Sequence, residues 1–118
     1  MSIHIASAPV SWGIYEFEGI EPKFPYSRVL DEIVETGYTG IELGPWGYLP
    51  TDAEVLRTEL SARGLQLLSA FVPVPLADPT AHDEGLSAAV RVGRLLAALG
   101  AGTIVLADDN GKVHELVA

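Results

Sequence analysis

Apolar residues recur along the chain in two alternating rhythms. Tyr26, Val29, Leu30, Ile33 and Val34 follow the i, i+3, i+4, i+7, i+8 spacing that gathers one stripe on one side of a helix. Arg28, Asp31, Glu32 and Glu35 fill the opposite side. The spacing predicts a helix over about Pro25 to Thr36. Pro25 suits its first turn, where a missing N–H is harmless, and Gly37 suits the left-handed position past its end. A second helix is predicted over Asp52 to Arg63, with Thr51 and Glu54 as a T-x-x-E capping box and Gly64 as the stop. A third is predicted over Thr80 to Leu99. Leu86, Ala89, Val90, Gly93, Leu96 and Ala97 are its inward stripe, and Gly100 ends it.

The runs between these helices are short and apolar at both alternating positions: Ile3 to Ser7, Gly40 to Leu43, Leu65 to Phe71 and Thr103 to Ala107. Strands that hide both faces belong to a parallel sheet covered by helices. The order is β-α-β-α-β-α-β. Two architectures share it: an open doubly wound sheet, and the (β/α)8 barrel, which takes about 250 residues. With 118 residues and no linker, the chain reads as a single α/β unit, either a small open domain or the N-terminal half of a TIM barrel, incomplete.

Composition narrows the partners. Hydrophobic residues make up 48% and charged residues 19%, a composition that packs a core. There is no Cys, which removes disulfides, Cys-ligated zinc and thiol nucleophiles. Acids outnumber bases 16 to 7, for a formal net charge of -9. That balance offers no basic patch to a phosphate backbone or an anionic membrane, so neither nucleic acid nor a membrane is an expected partner. No apolar run approaches the roughly 20 residues of a membrane-spanning helix. The start Met1-Ser2-Ile3-His4 lacks a basic leader, so a cytoplasmic location is the expectation.

In either architecture ligands gather at the C-terminal ends of the strands. The first such loop runs from Ala8 to Phe17. Trp12 could wall a sugar ring and Ser11 could donate a hydrogen bond, or Trp12, Tyr15 and Phe17 could plug the end of the sheet. The second strand ends Ile41-Glu42-Leu43. Alternation turns Glu42 away from its apolar neighbours, inward in a barrel, where an acid needs a partner or a task. Gly44, Pro45 and Gly47 then fix a tight loop around Trp46, a second surface for ring stacking or for packing. The third loop, Phe71-Val72-Pro73-Val74-Pro75-Leu76, reads as a stiff wall without ionisable groups. The fourth, Asp108-Asp109-Asn110-Gly111, is either a turn or a weak candidate for Mg²⁺ or Mn²⁺.

Other sites lack their signatures. His4, His82 and His114 form no H-x-H or H-x-x-x-H pair, so no local zinc site is written in the chain. Gly100 and Gly102 precede a strand, the wrong side for a dinucleotide fingerprint. A phosphate receiver would need acids where Ala6-Ser7-Ala8 stands.

Ala8-Pro9-Val10-Ser11-Trp12-Gly13, with Gly40-Ile41-Glu42-Leu43-Gly44-Pro45-Trp46-Gly47-Tyr48-Leu49-Pro50-Thr51-Asp52, resembles the xylose isomerase-like TIM-barrel family. The run from Arg63-Gly64-Leu65 into Ser69-Ala70-Phe71-Val72 fits the same pattern, so the resemblance covers nearly the whole chain. That family includes sugar isomerases and epimerases and the inosose dehydratases of inositol catabolism. The resemblance implies a partial barrel over residues 1–118, with Trp12, Trp46, Phe71 and Ser11 at the substrate and Glu42 as the inward, catalytic acid. It also implies a divalent metal (Mn, Mg, Co or Zn) in the complete enzyme, held by Glu, Asp and His or Gln ligands from later strands. Endonuclease members place histidines where this chain has Phe71-Val72 and Asp108-Asp109, so DNA repair is set aside.

Three functions follow as expectations. The first is the N-terminal portion of a metal-dependent sugar isomerase or epimerase, or of an inosose dehydratase, acting on a small sugar or cyclitol. This chain alone is expected to be inactive, because the usual metal ligands are missing. The second is a non-catalytic half-barrel that self-associates through its exposed sheet edges. The third is a free-standing open α/β binding domain.

Overall fold

Strands and helices alternate along the whole of the computed structural model, which describes residues 2–16 and 21–108. Strands β1 (Ala6–Ser7), β2 (Gly40–Glu42), β3 (Gln66–Val74) and β4 (Thr103–Asp108) form one sheet in sequence order, every pair parallel. Helices α1 (Tyr26–Glu35), α2 (Ala53–Ser61) and α3 (His82–Ala98) connect them. Strands laid side by side in chain order make the wall of a barrel. A doubly wound sheet would reverse its order at a switch point.

The core lies between the sheet and the helices. Val29, Leu30 and Ile33 of α1, Leu56 and Leu60 of α2, and Val92, Leu95 and Leu96 of α3 join Ile41, Leu67, Ala70, Val72 and Val74 in one buried cluster. Arg63, just past α2, fastens two helices together. It donates to Asp31 Oδ1 on α1 at 2.6 Å and to Glu59 Oε2 on α2 at 2.7 Å.

Several expectations change. The cap of α2 is Asp52, not Thr51: Asp52 Oδ1 accepts from the backbone N–H of Glu54 and Val55, both at 3.0 Å. Asp52→Ala should therefore lower stability by about 1 kcal/mol, read as a shift in denaturant midpoint. Val34 sits at the margin of the α1 stripe and is exposed. In α3 the inward residues are Val92, Leu95 and Leu96, while Leu86 is 64% exposed and Val90 also faces out. The N-terminal half of that helix borders an open apolar groove shared with Val74 and Leu106.

The strands differ too. β1 has two residues, and Ile3 and Ile5 before it are exposed. β3 continues through Val72-Pro73-Val74, the segment read as a loop. Pro73 is tolerated there because β2 stops pairing at Ser69, so this stretch is bonded on one side, to β4. The expectation of strands buried on both faces fails at β4. It is the last strand of the sheet, and Ile104, Val105 and Leu106 are all exposed.

Candidate active site: a carboxylate pair beside an aromatic cleft

Ile41 is fully buried on the helix side of β2. Glu42, the next residue, therefore projects from the other face, the one that lines the inside of a barrel. The β2–β3 register slips here, from Ile41 opposite Leu67 to Glu42 opposite Ser69. The irregularity turns Ser69 toward Glu42, and Ser69 Oγ donates to Glu42 Oε1 at 2.7 Å. One carboxylate oxygen is thereby fixed by a nearly buried hydroxyl.

A second acid completes the pair. Glu16, near the end of the β1 loop, has its pKa raised by burial; a hydrogen bond to its own backbone opposes this, and the negative charge of Glu42 adds the smallest, upward push. Sequence reasoning missed Glu16. Its place in a long loop after the first strand, next to Tyr15, was the available signal. Glu42→Gln should remove the like charge and bring the Glu16 pKa down, measured by carboxyl-carbon NMR titration. The sign for stability follows. A carboxyl whose folded pKa is raised stabilises the fold fully below the ordinary glutamate value, near 4.5, and that contribution is lost as pH rises through the folded value. Glu42→Gln should flatten that loss.

Glu16 also lines an open cleft. Trp46 and Phe71 line it together with Tyr15, Glu16 and Arg91. The Arg91 guanidinium lies over the Trp46 ring, 4.4 Å from its centre. Gly44 and Gly47, at φ +73° and +92°, turn the backbone that carries Trp46. Tyr48 fastens the same loop by donating to the Phe24 carbonyl at 2.8 Å, and burial raises its phenol pKa.

The other candidates stand apart. Trp12 ends a short 3-10 turn, Pro9–Trp12, and its indole N–H donates to Glu32 Oε2 on α1 at 2.6 Å. The Arg28 guanidinium, first, and this indole hold the Glu32 carboxyl below the ordinary range. Trp12 thus packs the β1 loop onto α1 and does not line the cleft. Ser11 is exposed, within 3.4 Å of the donating Ser7 hydroxyl, and also outside the cleft. Asp108 Oδ1 accepts the Leu76 N–H at 3.0 Å, tying the end of β3 to β4. Asp109, the other weak metal candidate, lies outside the described residues, as do Phe17 and His114.

Among the described residues no three of His, Asp and Glu converge, and the Glu16–Glu42 pair supplies two carboxylates with one oxygen already bonded to Ser69. They do not make a divalent-metal centre by themselves. No helix of the described residues is long and apolar enough to cross a membrane.

Comparison with known proteins agrees with this fold. No protein-family model matches the chain. An inosose dehydratase of Geobacillus kaustophilus is 27% identical over 110 residues, 93% of this chain and 35% of that protein. The rhizopine catabolism protein MocC of Rhizobium meliloti is 31% identical over 115 residues, 98% of this chain and 34% of that protein. A solved xylose isomerase domain protein from Alicyclobacillus acidocaldarius superposes with a TM-score of 0.59 at 24% identity, covering 87% of this chain and 36% of its own. The fold is like that of a xylose isomerase domain protein, and the sequence is similar to inosose dehydratases over nearly the whole chain. The chain spans little more than a third of the length of these relatives, which fits the N-terminal half of a TIM barrel.

Proposed function

We propose that this chain supplies the substrate wall and a carboxylate pair to an enzyme that moves a proton next to a carbonyl on a small sugar or cyclitol. The observation that carries the reading is Glu42, held by the Ser69 hydroxyl on the inner face of β2, together with Glu16 in the lining of the aromatic cleft. Two carboxyls, one held by a hydroxyl and one in the cleft wall, suit the roles of base and acid. Glu42 takes the proton from the carbon beside the carbonyl. Glu16 gives its proton to the hydroxyl on the neighbouring carbon. Water leaves, and a carbon–carbon double bond conjugated with the carbonyl remains. Trp46 and Phe71 offer their faces to the C–H side of the ring.

This outcome is a dehydration, and the name of the Geobacillus relative supports it over the alternatives. Isomerisation or epimerisation would begin with the same abstraction and return the proton to another atom or face. The divalent metal that the family resemblance implies would polarise the carbonyl when bound in the complete enzyme; no three His, Asp or Glu side chains of the described residues gather to hold it.

Titrating an inosose into the full chain, followed by the indole N–H signal of Trp46 and the carboxyl signal of Glu42, tests the reading. Saturable shifts at both are expected, with binding about tenfold weaker in Glu42→Gln. A chain that gives no shift at either residue would overturn it.

A further inference from the structure

Arg91 is the one cation among the described residues that line the cleft. Arg28, Arg57 and Arg63 each hold an acid within 3.4 Å. Arg91 holds none. It lies on Trp46 instead, although Glu16 lines the same cleft. An acid and a base thus occupy one hollow without meeting. Stacking uses the face of the guanidinium and leaves its N–H edge free. That edge is the planar fork that matches a carboxylate or a phosphate in two parallel hydrogen bonds.

We infer that the Trp46–Arg91 corner is an anion subsite. It takes a carboxylate or phosphate-ester group on a polyhydroxylated ligand whose body lies toward Glu16 and Glu42. The inference rests on reading the cleft as a polyol site and adds the charge class of its ligand. The cleft lining carries both signs, Glu16 and Arg91, and these would orient the ligand. The carboxylate favours hydroxyl groups and repels an anion, while the guanidinium attracts one. The chain as a whole carries a formal charge of -9, so it offers anions no diffuse attraction, and a preference for them must come from a local cation.

The test uses the full chain with ¹⁵N-labelled tryptophan, whose indole signals separate Trp46 from Trp12. The probes are D-gluconate, glucose 6-phosphate and neutral myo-inositol, with acetate and inorganic phosphate as bare anions. Gluconate or glucose 6-phosphate should shift the Trp46 signal saturably and bind about tenfold tighter than myo-inositol. The tighter of the two identifies the anionic group. Arg91→Gln should erase the preference, bringing gluconate and glucose 6-phosphate to the affinity of myo-inositol measured on the same variant. Arg91→Lys, which keeps the charge but not the fork, should retain part of it. Arg91 is exposed, so neither variant threatens the fold. Equal binding of anionic and neutral probes, a preference that survives Arg91→Gln, or bare anions binding as tightly as the conjugates would overturn the inference and leave the polyol reading standing. Failure of every polyol, myo-inositol included, would overturn both.

Discussion

Ile41→Ala is expected to destabilise the chain by about 2–5 kcal/mol, a large part of the roughly 5–15 kcal/mol that holds a domain folded. Ile41 is fully buried and lies in an inner strand, opposite Ser7 of β1 and Leu67 of β3. Val29, Ile33 and Leu56 belong to the same buried cluster. Strand pairing on both flanks keeps the backbone from closing over the space that truncation leaves, so the cavity penalty adds to the lost burial. Glu42→Gln, one residue along, is the matched contrast. The amide keeps an oxygen for the Ser69 hydroxyl and faces the other side of the sheet. Its stability change should stay under about 1 kcal/mol. Urea unfolding followed by tryptophan fluorescence measures both. Equal losses would mean that β2 does not divide a packed face from a working face.

That division was legible in the sequence, because alternation in Ile41-Glu42-Leu43 needs no knowledge of neighbours. The helix ends were legible for a similar reason. Gly37, Gly64 and Gly100 follow the three helices at positive φ, a local requirement that only the residue type has to meet. What failed was whatever depended on a distant partner. Strict alternation would put Ser69 on the side of Leu67, and only the slipped β2–β3 register turns it to Glu42. Trp12 looked as suited to a sugar as Trp46, but its acceptor, Glu32, comes from the far end of α1. Nothing in the local sequence singles out Arg91 in α3; the fold alone sets it on Trp46. In α3 two apolar stripes overlap, and the inward one is decided by where β3 and β4 lie.

Gly44→Ala should be the most damaging change to the cleft that deletes no functional group. Gly44 holds φ +73°, and a Cβ there would lie 2.8 Å from Cγ of Pro9, itself buried in the β1 loop. The left-handed backbone costs a non-glycine residue about 1–2 kcal/mol. Overpacking against a proline ring that cannot swing aside adds about 1–3 kcal/mol. Gly47→Ala separates the two effects. It too sits at positive φ, +92°, but a Cβ there meets nothing within 4 Å, so backbone strain alone should remain. The difference between the two denaturant midpoints then reports the Pro9–Gly44 contact. That contact registers the loop carrying Glu16 against the loop carrying Trp46. Forcing it open should weaken ligand-induced shifts at the Trp46 indole even where the chain stays folded, while Gly47→Ala should disturb them less. If the two variants proved equally mild, the loops would be free to separate, and the spacing between the carboxylate pair and the aromatic wall would have to be set elsewhere.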